Sequence, residues 1–175
     1  MQRSALIFAT AASLVFAAAA VAQVPRGLER SGAAGEASSD TQSVSVLSAR
    51  HYQDGVEALQ AKNFAVAEGI FDEFLRINPT HPDGNLMMGT TEMSLNKWNE
   101  AKKYLEIAVK KAPKNPDPKS RLAVTLVKLG DLEGALKLRA DLVKMDKDCK
   151  GTCRSAQYIV GGIAMIDGAM PPKQP

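Results

Sequence analysis

Cysteine and histidine are scarce, with two of each in 175 residues. So few ligating side chains leave little material for a zinc or haem site, and His51 and His81 do not stand at metal-ligand spacing. An excess of one charge is also missing. The 22 basic and 19 acidic residues leave a net charge of +3, which argues against a strongly electrostatic nucleic-acid binder. Aromatic residues make up only 5% of the chain, so a core built on large rings is not expected. Alternating β-branched runs are absent, which disfavours a sheet. There is no Gly-rich phosphate loop, nucleophile elbow or paired-histidine motif. The acids Glu57, Glu68, Asp72 and Glu73 fall at polar helical positions rather than as an acid/base pair. The expectation is a non-enzymatic protein with no catalytic residues, no metal and no cofactor.

Long apolar stretches are confined to the start of the chain. Residues 1–22 contain 17 apolar residues behind Arg3, and Ala20-Val21-Ala22 places small residues just before Gln23. This is the pattern of a secretory signal peptide cleaved after Ala22. The 18 residues from Ala5 to Ala22 are also just long enough to span a bilayer, so an N-terminal anchor in the inner membrane is the alternative. The expected location is the periplasm or the exterior, with no integral membrane segment after cleavage. Residues 23–45 are rich in Gly, Ser and Ala and lack periodicity, so a disordered linker is expected there.

What the rest of the chain does have is a period of 34. Ala67, Ala101 and Ala135 keep that spacing, as do Gly55, Gly89 and Ala123, and Phe64, Trp98 and Leu132. Phe71 and Leu105 align with Arg139, and Pro79 and Pro113 align with Lys147, so the third unit departs from the pattern at two positions. Within a unit, apolar residues such as Ile70, Phe71, Phe74 and Leu75 follow helical spacing. Turns such as Lys62-Asn63 and Gly130-Asp131 separate two helices, and a proline ends the second by driving its predecessor out of the helical region. Small residues at fixed register let the paired helices approach closely.

These residues resemble the tetratricopeptide repeat (TPR) family. The pattern G-x(11)-A-x(11)-P is complete in Gly55/Ala67/Pro79 and in Gly89/Ala101/Pro113. The resemblance implies an all-α superhelix, an α-solenoid of three helix-turn-helix repeats within residues 46–147, at 48–81, 82–115 and 116–147. One such unit cannot bury its apolar face alone, so stability is shared between neighbours. The resemblance also implies a protein or peptide partner bound on the face lined by the first helices. By register that groove comprises Tyr52, Val56, Leu86, Met87, Thr90, Arg121, Val124 and Lys128, while Leu59, Met93 and Val127 are either groove or inter-repeat core. The carboxylate clamp of some relatives is not expected. The matching positions hold Tyr52, Val56, Met87, Asp117 and Arg121, and only the arginine fits.

Residues 148–168 read as a disulfide loop and a capping helix, followed by a disordered tail at 169–175. Cys149 and Cys153 form an even pair across a short loop containing Gly151, which suits a disulfide in an oxidising compartment. Their spacing is longer than that of the C-x-x-C redox motif. Ala156, Ile159, Val160 and Ile163 form the stripe expected to cover the open end of the array. Charge is uneven: the first repeat carries three basic and five acidic residues, the second six and four. Lys102, Lys103, Lys110, Lys111 and Lys114 gather on the second helix of the middle repeat and its following turn. With the leader, the resemblance implies a protein-interaction adaptor serving envelope assembly or secretion. The alternative is a structural array that self-associates, as a homo-oligomer, or docks on the envelope through this basic convex face.

Overall fold

The computed structural model describes residues 36–172, with side chains from Ser45 onward. The leader at 1–22, residues 23–35 of the linker and 173–175 of the tail lie outside the described residues. Among the described residues seven helices follow one another: α1 (Glu36–Gln60), α2 (Phe64–Ile77), α3 (Pro82–Ser94), α4 (Trp98–Lys111), α5 (Pro116–Lys128), α6 (Leu132–Cys149) and α7 (Ala156–Ala169). No strand occurs among the described residues. The architecture is the all-α repeat solenoid, with pairs α1/α2, α3/α4 and α5/α6 stacked in order and α7 laid on α5 and α6.

The alanines and glycines of the 34-residue register sit where the two helices of a unit meet. Ala67, Ala101 and Ala135 are completely buried. A Cβ on Gly55 would come within 2.7 Å of the Phe71 ring, and one on Gly89 within 2.6 Å of Leu105 Cγ. Glycine is thus the socket for the large apolar residue of the second helix. In the third unit the opposing residue is Arg139, which turns to Asp167 on α7, and there the socket tolerates the Cβ of the fully buried Ala123.

The three turns between paired helices are copies of one another. Asn63, Lys97 and Asp131 donate their N–H groups to the carbonyls of Ala58, Glu92 and Leu126, while Lys62, Asn96 and Gly130 donate to Leu59, Met93 and Val127. Both bonds together are the Schellman ending of a helix, whose penultimate residue must be left-handed. Lys62, Asn96 and Gly130 have φ of 61°, 59° and 83°. The starts of α3 and α5 also match. Pro82 and Pro116 open the helices, and His81 Nδ1 and Asn115 Oδ1 accept from the N–H groups of Gly84 and Asp117.

Three expectations change. Residues 36–45, expected as linker, already belong to α1. Between Gly35 and Gly55 the sequence has no glycine or proline, so the helix propagates backward from its packed half, gaining one hydrogen bond per residue fixed. At the other end α6, lacking the proline that stops α2 and α4, runs past Lys147 to Cys149, for 18 residues against 14. On α7 the buried stripe is Ile159, Gly162 and Ile166, whereas Val160 is 56% exposed. Gly162 is the close contact, since a Cβ there would lie 2.9 Å from Ser120 Cβ, while Gly161 faces open space.

The core forms two clusters. Phe71, Phe74, Leu75, Ala67 and Met88 join the first two units. A second cluster extends from Leu86, Leu105 and Ala108 through Leu122, Leu126 and Leu142 to Ile159 and Ile166 of α7, with Cys149 at its edge. Cys149 and Cys153 stand at disulfide bonding distance, with Cα atoms 5.2 Å apart, where Lys150 and Gly151 turn the chain through left-handed backbone. No helix among the described residues is long and apolar enough to cross a membrane.

Candidate peptide-binding face

The first helices of the units, α1, α3 and α5, repeat one set of positions across the array. Val56, Thr90 and Val124 are 34 apart, as are Gln53, Met87 and Arg121, and Gln60, Ser94 and Lys128. Tyr52, Val56, Met87, Thr90, Arg121 and Val124 are all half-buried, and Lys128 is exposed. Such residues have their stems in the core and one side open, which suits adaptable contact. Methionine at position 87 belongs to both core clusters at once and can shift to fit irregular surfaces.

Leu86 does not belong to this face. It is only 4% exposed and packs with Leu105 and Leu122 in the larger cluster. A step of one residue turns about 100° around a helix, which is enough to move from the open side at Met87 to the interior. Leu59, Met93 and Val127 are half-buried and packed against the clusters, so they serve the inter-repeat core.

Polar groups on the face are partly committed. Thr90 Oγ1 donates to the Leu86 carbonyl at 2.7 Å. Arg121 Nε donates to Asp117 Oδ1 at 3.0 Å, a pair one helical turn apart, and the other guanidinium nitrogens make no hydrogen bond to a described residue. Arg121 lies at the edge of a cleft of about 410 Å³ between α5 and α7, lined also by Gln157, Tyr158, Gly161 and Met165. Tyr158 is 67% exposed. The helix that closes the array therefore extends the face beyond Arg121, a contribution that the apolar character of α7 on all its sides could have signalled.

A larger cleft, of about 760 Å³, opens beside Tyr52. Its walls include Ser48 and Ala49 of α1, Phe74 and Ile77 of α2, and Asn78 and His81 of the following turn. Tyr52, Phe74 and His81 form an aromatic cluster, with Tyr52 centroids 5.5 Å from Phe74 and 6.2 Å from His81. Burial, and then the charge of Asp83, push the Tyr52 hydroxyl above the ordinary tyrosine range. Sequence reasoning found Tyr52 but not Phe74 or His81, because three separate elements bring them together.

Two charged features lie away from the face. At the seam of α2, α3 and α4, Glu92 is 3% exposed and its Oε2 has no hydrogen-bond partner. Lys97 Nζ binds both carboxylate oxygens of Glu68, at 2.6 and 2.8 Å, and stays 4.0 Å from Glu92. Burial, with Glu68 and Glu100 against Lys97, raises the Glu92 carboxyl above the usual carboxylate range. On α4 and its following turn, Lys103, Lys110, Lys111 and Lys114 are exposed and form no ion pair with a described residue.

Residues 92–151 match the family model described as tetratricopeptide repeat. No curated protein matches the sequence. Among solved structures, a type III secretion complex from Aeromonas hydrophila superposes with a TM-score of 0.62 at 18% identity, covering 76% of this chain and 86% of that one. The TPR2B domain of yeast Sti1, solved in complex with pHsp70, gives 0.60 at 17% identity over 70% and 98%. The Yersinia enterocolitica type III secretion chaperone SycD, solved with a peptide of the translocator YopD, gives 0.59 at 16% identity over 77% and 96%. At these identities the likeness to each is one of fold. Repeat register, turn geometry and family match agree: the chain carries the tetratricopeptide-repeat fold.

Proposed function

We propose that this protein is a non-enzymatic adaptor that holds a segment of another protein along the face of α1, α3 and α5. The observation that carries the reading is the row of half-buried residues at matched positions of three successive helices, from Tyr52 and Val56 through Met87 and Thr90 to Arg121 and Val124. The complexes of the similarly folded SycD with a YopD peptide and of the Sti1 domain with pHsp70 support it. Exchange of Tyr52 and Arg121 for alanine, at half-buried positions outside the fully buried core, should strip a captured partner from the array while its helical signal persists. Undiminished capture by the double variant refutes the reading.

The same proposal places the protein outside the cytoplasm, in envelope assembly or secretion. The leader pattern at 1–22 and the Cys149–Cys153 pair support this, because both suit export to an oxidising compartment. Mass measurement of the mature protein tests it, with Gln23 expected as the first residue and an intact Met1 counting against cleavage.

The exposed lysines of α4 favour a second mode, docking of the convex side on an anionic surface. Binding to anionic vesicles that vanishes as salt is raised would support that mode, whereas salt-insensitive binding or none would exclude it.

A further inference from the structure

Helix α1 is nearly twice the length of the other first helices, 25 residues against 13 in α3 and α5. Ahead of Gly55 it forms, beside the last turns of α2, one wall of the larger cleft. Ser45, Ser48, Ala49 and Tyr52 line that wall at i, i+3, i+4 and i+7, one face of the helix. Three small side chains leave space, and Phe74, Ile77 and the edge of His81 supply the apolar surface opposite. Asn78 Nδ2 donates to Ser48 Oγ and ties the two walls together. Tyr52 is half-buried, yet its hydroxyl has no hydrogen-bond partner among the described residues.

No lysine or arginine is among the described residues that line the cleft. Asp83, exposed in the first turn of α3, follows His81 of the cleft wall by two residues; its charge helps to raise the Tyr52 hydroxyl, and it has no ion-pair partner among the described residues. An uncompensated carboxylate beside an apolar cleft favours a cation that arrives next to an apolar group.

We infer that this cleft is the anchor of the groove: it seats an apolar side chain of the partner segment, with a neighbouring lysine or arginine drawn to Asp83. The inference rests on the groove reading and adds to it the chemistry of the segment. Small residues on α1 admit the side chain, the aromatic cluster contacts it, and the free Tyr52 hydroxyl is available to the segment's backbone.

Two capped dipeptides, N-acetyl-leucyl-arginine amide and N-acetyl-leucyl-glutamate amide, test it by NMR titration of the full chain. The amides of Ser48, Asn78 and His81 should shift, and the arginine probe should bind about threefold more tightly, the scale of one exposed ion pair. Asp83→Asn should equalise the two probes. Ala49→Trp, on an exposed position of the wall, should fill the cleft and abolish both responses. Equal affinities in the unmodified protein, or shifts confined to other regions, overturn the inference. Should Asp83→Asn disturb the start of α3, the Ala49→Trp arm still decides, because persistent cleft shifts in that variant also overturn it. A captured protein that is lost with Arg121→Ala but kept with Ala49→Trp removes the anchor and leaves the groove reading intact. Probes that seat as expected, beside capture that is lost with Ala49→Trp but kept with Arg121→Ala, uphold the anchor and remove the rest of the groove.

Discussion

Replacing Gly89 by alanine should destabilise the array, whereas the same exchange at Gly161 should stabilise it. Both glycines lie inside helices, where alanine is favoured by about 1 kcal/mol. At Gly161 nothing lies within 4 Å of the added methyl, so that gain is realised nearly in full. At Gly89 the methyl would meet Leu105 Cγ at 2.6 Å, Leu105 Cδ2 at 2.9 Å and the Ala101 carbonyl oxygen at 3.4 Å. Carbon atoms prefer about 3.5–4.0 Å, so α3 and α4 must part or the fully buried Leu105 must leave its rotamer. Overpacking of this kind costs about 1–3 kcal/mol, which outweighs the propensity gain. The two variants should therefore move the urea midpoint in opposite directions, by roughly half a molar each for a slope of about 1–3 kcal/mol/M. Circular dichroism through the transition reads this directly. Leu105→Ala supplies the control, because in that background Gly89→Ala should lose most of its penalty through coupling at the shared contact. A Gly89→Ala midpoint at or above that of the unmodified protein refutes the socket argument.

Two further outcomes follow from other parts of the fold. Glu92 has its carboxyl raised by burial and by Glu68 and Glu100, so between its unfolded and folded values the native state holds the proton more strongly. Stability then falls as pH rises through that window, and Glu92→Gln should raise the melting temperature at neutral pH, with the gap closing as pH falls toward the ordinary glutamate value of 4.5. A Glu92→Gln protein that melts no higher than the original at neutral pH contradicts this. Opening the Cys149–Cys153 ring with a dithiol, or by exchange of both residues for serine, should cost about 2 kcal/mol for so short a loop. Chemical denaturation measures it, and an unchanged midpoint would show that the ring does not hold the end of α6 to α7.

Most of the array was legible in the sequence for a physical reason. A helix crossing that admits no side chain can be occupied only by glycine or alanine, so Gly55, Gly89, Ala67, Ala101 and Ala135 betray the crossings at their fixed interval. The start of α1 was not legible. Its first turns, Glu-Ala-Ser-Ser-Asp-Thr-Gln-Ser, have no apolar rhythm, and their helicity comes from continuity with the packed half. On the face, register placed Tyr52, Val56, Met87, Thr90, Arg121 and Val124 at half-buried positions but put Leu86 beside them, when the boundary between face and interior falls within that single step. Phe74 and His81 were hidden because their meeting with Tyr52 depends on the angle between α1 and the turn after α2. The seam around Glu92 was hidden for the same reason, since its acids come from three helices.

The three matched turns have a consequence for how such a chain can lengthen. Each reversal is set by backbone hydrogen bonds and one left-handed residue, at Lys62, Asn96 and Gly130, and hardly by what the neighbouring side chains are. The stretch 82–115 begins with a capped proline and ends at the next capping asparagine, so its two borders are chemically alike. Spliced in twice, it would meet a copy of its own border, and the row through Met87 and Thr90 would gain one more rung. Reach along a bound segment is then a matter of copy number, open to change by duplication of a genetic unit without any new fold.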